Sequence, residues 1–255
     1  MTDAALPETC CATVWIRHGR AVYVGPSLKL GEHSGAVSCF ALGIDAPFTV
    51  HSGTDAVRDV RSALIPARTR HRLVAETGRV LFAYVDPGSP WVARMSRLMT
   101  GSAIHYGHPD ELALATRLQT VGAADPLSLL GLADDPADPR DERIRTALAL
   151  LRQDPGGRLG AADVARAVNL SPSRFQHLFT SHTGTSFRRY RSWARMLHVA
   201  DAVAGGKNLT TAASDAGFAS PAHFSDSFRT MFGLSASRLL APGTRILTRS
   251  RRGSR

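Results

Sequence analysis

The stretch SPSRFQHLFTSHTGTS, residues 171–186, returns 49 positions later as SPAHFSDSFRTMFGLS, residues 220–235. Ser, Pro, Phe, Phe, Gly and Ser recur at identical offsets. A Ser at the N-cap accepts a hydrogen bond from a free backbone N–H, and a Pro in the first turn sacrifices nothing because donors there are spare. Both copies therefore start a helix at the same place. Phe175 and Phe179, like Phe224 and Phe228, stand four apart and share one face, while Gly184 and Gly233 supply helix stops.

Each copy is preceded by a shorter apolar pattern, Val164-Ala165-x-x-Val168-Asn169-Leu170 and Ala212-Ala213-x-x-Ala216-Gly217-Phe218. Small Ala165 and Ala213 permit close helix approach, and the few residues between the helices make a tight corner. The pattern is a helix-turn-helix, twice. In that motif the second helix enters the DNA major groove with its unburied side towards the base edges. Behind the capping Ser171, that side presents Ser173, Arg174, Gln176, His177, Thr180 and Ser181; behind Ser220 it presents Ala222, His223, Ser225, Asp226 and Arg229. Arg can bond guanine, Gln adenine, and Asp can accept from cytosine.

The charge distribution agrees. Residues 1–140 hold 13 Lys and Arg against 14 Asp and Glu, whereas residues 141–255 hold 18 against 7. The whole excess of the net +10 lies where the repeat lies. A neutral module joined to a basic one points to double-stranded DNA as partner. With 44% hydrophobic residues the chain can bury a core, and no apolar run approaches the roughly 20 residues of a membrane span. No secretory signal is visible at the start, so a cytoplasmic location without membrane association is expected. Cys10, Cys11 and Cys39 are too few for a disulfide framework and are read as reduced thiols.

Ahead of the repeat the pattern is short and extended. The runs 36–44, 48–52, 59–66, 71–75 and 79–87 are apolar or β-branched and separated by turn residues, which predicts a β-sandwich or small barrel over about 14–87. After Pro90 the period lengthens. Trp91, Val92, Met95, Leu98, Met99 and Ser102 fit a helix, and Leu114, Leu118 and Val121 another, so helices are expected over about 90–130, either packed on the barrel or pairing two copies. The Asp- and Pro-rich segment 131–142 reads as an exposed connection, with the linker at 136–142. Apolar spacing then predicts helices at Ile144, Leu148 and Leu151 and over 187–204. Within the latter, Arg188, Arg189, Arg191 and Arg195 can be a solvated face, and Trp193 is read as packing. The expected plan is α+β with two domains, 1–135 and 143–242, and a basic tail at 243–255.

Residues of about 143–242 resemble the DNA-binding domain of the AraC/XylS family of transcription regulators, through both motifs, Tyr190 and Arg195-Met196 between them, and the corner Gly217, Phe218 and Ser220. Ala212, Ala236 and Leu239 depart from the family pattern, lightening the packing of the second motif. The resemblance implies that 187–204 is a rigid spacer holding two reading helices in successive grooves roughly 34 Å apart. It also implies a homodimer or monomer on DNA, and contact with RNA polymerase if the protein activates. Residues 64–87 resemble a cupin-type strand pair, with Pro66 and His71 at motif positions and Arg68 at the motif's Gly. Such domains in AraC-type regulators bind effectors and dimerise, and a small-molecule effector is expected near Trp15, His33, His51 or His71. The His-x-His and Glu arrangement of a metal-binding cupin is absent, so no metal, cofactor or catalytic residue is assigned. A cupin enzyme fused to a DNA-binding module and a DNA-coating protein are the competing classes.

Overall fold

The computed structural model of the chain describes residues 12–17, 19–120, 125–133, 140–154, 156–240 and 243–248. Eight strands come first: β1 (Thr13–Arg17), β2 (Arg20–Pro26), β3 (Ser38–Gly43), β4 (Phe48–Ser52), β5 (Asp55–Val60), β6 (Ser62–Ile65), β7 (Arg72–Val74) and β8 (Arg79–Val85). They are followed by α1 (Pro90–Leu98), β9 (His105–Tyr106), α2 (Glu111–Thr120) and α3 (Pro126–Leu129). The remainder is helical: α4 (Glu142–Gln153), α5 (Ala161–Ala167), α6 (Pro172–Thr183), α7 (Phe187–Ala204), α8 (Leu209–Asp215), α9 (Pro221–Phe232) and α10 (Ala236–Leu239). A last strand, β10 (Arg245–Thr248), closes the chain's described part.

The strands form a seven-stranded sheet in the order β10-β1-β2-β8-β3-β6-β9 and a three-stranded sheet in the order β5-β4-β7. All six residues of β3 are buried, and β8 is nearly so. A strand with no solvent side needs apolar cover on both faces. On one face Phe40, Leu42, Leu64 and Leu81 pack under Trp91, Val92, Met95 and Met99 of α1 and its end, with Leu118, Leu127 and Leu130. The helices after Pro90 thus pack on their own sheet. Leu98, expected in that apolar stripe, is 46% exposed, and Ser102 lies beyond the helix. Val121 falls outside the described residues, as do Cys10 and Cys11. Cys39 is a buried free thiol, pushed up to about 12 by loss of solvent.

On the opposite face the cover is different. Val14, Tyr23, Ala41 and Phe82 share one apolar cluster with the small sheet and with Phe175, Trp193, Met196, Phe228 and Phe232 of the helical half. The two halves therefore have a common core. Polar contacts stitch its edges: the Trp193 indole N–H donates to the Gly19 carbonyl at 3.3 Å, and Arg140 pairs with Asp86 at 2.8 Å with both side chains nearly buried. Tyr190 donates its hydroxyl to the same Asp86 at 3.2 Å. Burial first, and then the Asp86 carboxylate, hold that phenol protonated well above its usual range.

Three expectations need correction. The run 59–66 is two strands, because Asp59 adopts φ 53° and the turn at Val60-Arg61 carries the chain from the small sheet to the large one. Residues 243–255 are not simply a tail: β10 lies parallel to β1, Ile246 opposite Val14, with the Arg245 N–H donating to the Ala12 carbonyl at 2.8 Å. An unpaired β1 edge offers a full row of donors and acceptors, and β10 uses it. The segment after Thr248 lies outside the described residues. The connection 131–142 is anchored by the buried Arg140 guanidinium, and residues 134–139 are not described.

Replacing Asp86 by Ala removes the largely buried acceptor that Arg140 and Tyr190 share, a change expected to cost about 1–3 kcal/mol. Urea unfolding of Asp86→Ala is expected to show that loss, with a smaller one for Asp86→Asn, which keeps an acceptor.

Candidate nucleic-acid interface

The helix starts are built as their sequence predicts. Ser171 Oγ accepts from the Arg174 N–H at 3.3 Å and Ser220 Oγ from the His223 N–H at 3.1 Å, each with Pro in the first turn. Gly184 and Gly233 end the helices in the left-handed region, at φ 64° and 74°, and donate to the carbonyls of Thr180 and Arg229. The Phe175 and Phe179 rings meet at 5.6 Å, each edge-on to Phe187, and the Phe224 and Phe228 rings meet at 5.8 Å, Phe224 edge-on to Phe218 and Phe228 tilted against Phe232. In α5 the buried residues are Val164 and Ala165; in α8 they are Ala212 and Ala213. Asn169 turns the first corner at φ 55° and Gly217 the second at φ 79°.

With those faces fixed, the opposite faces point to solvent. Ser171, Ser173, Arg174, Gln176 and His177 are exposed and Thr180 half-buried. Ser220, Ala222, His223, Asp226 and Arg229 are exposed and Ser225 half-buried. The two sets differ in how free they are. Among the described residues the side chains of Arg174, Gln176 and His177 have no intramolecular partner. In α9, Arg229 sits 3.6 Å from Asp226, and the His223 ring accepts from the Ala219 N–H at 3.4 Å and abuts Phe218. These polar groups of α9 are engaged within their own motif.

The spacer α7 spans the expected 187–204, but its arginines are not a solvated row. Only Arg188 is exposed. Arg189 donates to the Ser34 carbonyl and hydroxyl at 2.6 Å, Arg191 to the Leu159 carbonyl at 3.1 Å while lying over Phe187, and Arg195 to the Gly157 carbonyl while lying over Phe218. Arg195 thereby ties the entry to the first motif to the corner of the second. Sequence could not show this, because the acceptors are backbone carbonyls far along the chain. Trp193 is 2% exposed and packs, as expected.

The four residues named for an effector do not form one site. Trp15 packs on the α1–α3 side of the sheet, the alternation of β1 sending Val14 and Ile16 to the other side. His51 is half-buried on β4, paired with Ala56 and Arg72. His33 and His71 do meet, with ring centroids 4.3 Å apart. An apolar cavity lies elsewhere, between the sheet and the helical half. It holds about 80 Å³, lined by Ile16, Tyr23, Phe82 and Tyr84 from the sheet and by Trp193, Met196, Phe228 and Phe232 from the helices. A neighbouring space of about 40 Å³ is closed by Ile246 of β10 and shares Val14, Met196 and Phe228. No charged side chain lines either one, and the Tyr23 hydroxyl is already given to the Pro26 carbonyl at 2.8 Å. The sequence signal was available in the alternation of Val14, Ile16, Ala21 and Tyr23, but its partner surface on α7 and α9 was not.

The comparisons agree with this geometry. Residues 164–241 match the family described as "Helix-turn-helix domain". The fold is similar to that of ToxT from Vibrio cholerae. An apo ToxT variant superposes with a TM-score of 0.58 at 12% identity, covering 88% of this chain and 97% of that one. ToxT with an unsaturated fatty acid bound gives 0.56 at 12% identity over 88% and 97%. ToxT bound to (E)-4-(8-methylnaphthalen-1-yl)but-3-enoic acid gives 0.56 at 12% identity over 87% and 98%. No curated protein sequence matches. The class defined is a two-domain α+β protein, a β-rich N-terminal domain followed by a helix-turn-helix domain. Its plan along the chain is that of ToxT.

Arg195→Met keeps the apolar stem and removes the bond to Gly157. A loss of about 1–3 kcal/mol is expected from the abandoned carbonyl. Duplex titrations should show weaker binding with unchanged sequence preference, since Arg195 positions the motifs and reads no base.

Proposed function

We propose that this chain is a sequence-specific DNA-binding transcription regulator that carries out no catalysis, acts in the cytoplasm, and is controlled by an effector held between its two domains. The observation that carries the reading is the pair of equivalent helices α6 and α9, capped alike and exposing their polar sides, in the half of the chain that holds the whole excess of positive charge. Helix α6 supplies most base discrimination, because Arg174 and Gln176 are long, exposed and uncommitted. Helix α9 mainly positions, since Asp226 opposes phosphate and occupies Arg229.

The effector proposed is apolar and elongated. Its place is the cavity between Tyr23, Phe82 and Phe232, where a bound molecule touches the sheet and the DNA-binding helices together. An effector acts only through a difference in affinity between two arrangements, and a site shared by both domains supplies that difference directly. ToxT structures holding an unsaturated fatty acid support the ligand class. Exposed Leu98 and Leu112, 46% and 65% accessible, are the proposed surface for a homodimer, and RNA polymerase is the further partner if the protein activates.

Selection from a random duplex pool tests the reading: one preferred site is expected, and equal retention of all sequences would overturn it. Arg174→Ala or Gln176→Ala should each remove about 1–3 kcal/mol of discrimination at one base pair, and His223→Ala less. Affinity should fall steeply as salt rises from 50 to 200 mM for wild type. Ala200→Leu, which fills the cavity, is expected to leave duplex binding intact and to abolish its response to long-chain fatty acids.

A further inference from the structure

The loop 29–34 of the β-domain meets the C-terminal end of reading helix α9 backbone to backbone. The Gly31 N–H donates to the Gly233 carbonyl at 2.7 Å, and the Ser34 N–H to the Thr230 carbonyl at 3.2 Å. These bonds occupy two of the carbonyls that a helix end leaves without an internal donor. The approach requires glycine at 233: a Cβ there would stand 2.5 Å from the Gly31 carbonyl oxygen and 2.7 Å from His33 Nδ1, whereas one on Gly31 would meet the Gly233 carbonyl oxygen at 3.3 Å.

Behind that loop stands His33, bridged to His71 by two backbone bonds of 2.9 Å, the His33 N–H to the His71 carbonyl and the reverse. The rings are in contact, tilted 53° to one another, and 6% and 2% exposed. His33 Nδ1 is 2.9 Å from the Gly31 carbonyl and His71 Nδ1 is 2.9 Å from the Thr69 carbonyl. A carbonyl only accepts, so Nδ1 carries the hydrogen in both rings and Nε2 is the bare nitrogen. His71 Nε2 is buried with no partner. A second proton there would have no acceptor and would face the neighbouring ring.

The charged groups on the surrounding elements offer no relief. Glu32 of the same loop is engaged by Arg70 at 2.6 Å. Arg68 and Arg72 flank His71 in sequence, Arg189 reaches Ser34 from α7, Arg229 of α9 is paired with Asp226, and Arg238 of α10 reaches the Lys29 carbonyl at 3.3 Å. All but Glu32 are basic or already paired. Arg68 is held at φ 68°, the left-handed region where the resembling motif has Gly.

We propose that His33 and His71 form a proton-operated latch, which docks α9 on the β-domain while both rings are neutral and releases it when either is protonated. The sign follows from burial. Desolvation, joined for His71 by the neighbouring His33, lowers both rings below the ordinary value of 6.5, His71 to about 4. The released state binds the proton more readily, so the dock is at full strength above about pH 6.5 and weakens as pH falls towards about 4. For His71 alone the linkage weakens docking by about 30-fold at pH 5. The latch rests on the DNA-binding reading only for its consequence, release of a reading helix.

Amide hydrogen exchange on the full chain between pH 7.5 and 5.0 tests it, after correction for the intrinsic chemical rate. Gly31 and Ser34 should lose protection by at least tenfold, while Phe40 and Leu81 in the sheet keep theirs; His71→Phe should reduce the pH response at Gly31 and Ser34 to the part His33 supplies. Unchanged protection of those two amides in wild type, or an equal response in the variant, overturns the latch. Should His71→Phe not fold, the imidazole proton resonances of wild type decide: titration of both rings below pH 6 supports it, and either ring titrating at 6.5 or above overturns it. These readouts need no DNA, so failure to bind duplex would bear on the proposed function and leave the latch standing.

Discussion

The structure depends on covering one sheet twice. β2, β8 and β3 are apolar on both faces, and α1–α3 can cover only one of them. The other is covered in part by the small sheet and in part by α7 and α9. Helices α7 and α9 are therefore structural members of the β-domain's core as well as of the helical domain. A domain that shares a core with its neighbour cannot move independently of it without exposing apolar surface. Anything that changes the packing of Tyr84, Trp193 or Phe232, which touch ring to ring at 5.3–6.2 Å, is felt by both halves.

The repeat itself shows how one sequence device serves two ends. Gly184 and Gly233 stop α6 and α9, and both stops abut the β-domain. Beside the first, a Cβ on Gly88 would meet the His182 carbonyl oxygen at 2.1 Å; beside the second, the Gly31 and Gly233 backbones are in direct contact. Helices α6 and α9 thus both end on loops of the β-rich domain. Such an arrangement fixes both helices at their C-terminal ends.

What was legible in the sequence followed local rules. Ser-Pro starts, Phe pairs and Gly stops depend on neighbours within one turn, and they placed α6, α7 and α9 to the residue. The alternation of β4 and the apolar run of β8 were equally plain. What was missed depends on partners distant in the chain. β10 is four residues long with a weak pattern of its own, and it becomes a strand only because β1 presents a free edge. Arg189, Arg191 and Arg195 looked like a solvated row because their acceptors, Ser34, Leu159 and Gly157, carry no signal in sequence. His33 and His71 were singled out as possible effector contacts, and the structure brings them together for a different physical reason, a backbone bridge between two loops.

The divergence of the two copies has a physical cause in this division of labour. α6 buries Phe175 and Phe179 within the helical domain, leaving its outer side unconstrained. α9 must satisfy the helical domain with Phe224, line the interdomain cavity with Phe228 and Phe232, and accept the loop 29–34 at its end. Its buried stripe is accordingly wider, adding Met231 and Phe232. A wider buried stripe leaves a narrower outer one, and the short or self-paired residues Ala222, His223 and Asp226 occupy what remains. A free polar outer face and contact with the β-domain compete for the same helix surface; in this chain the first copy retains the former and the second has taken on the latter.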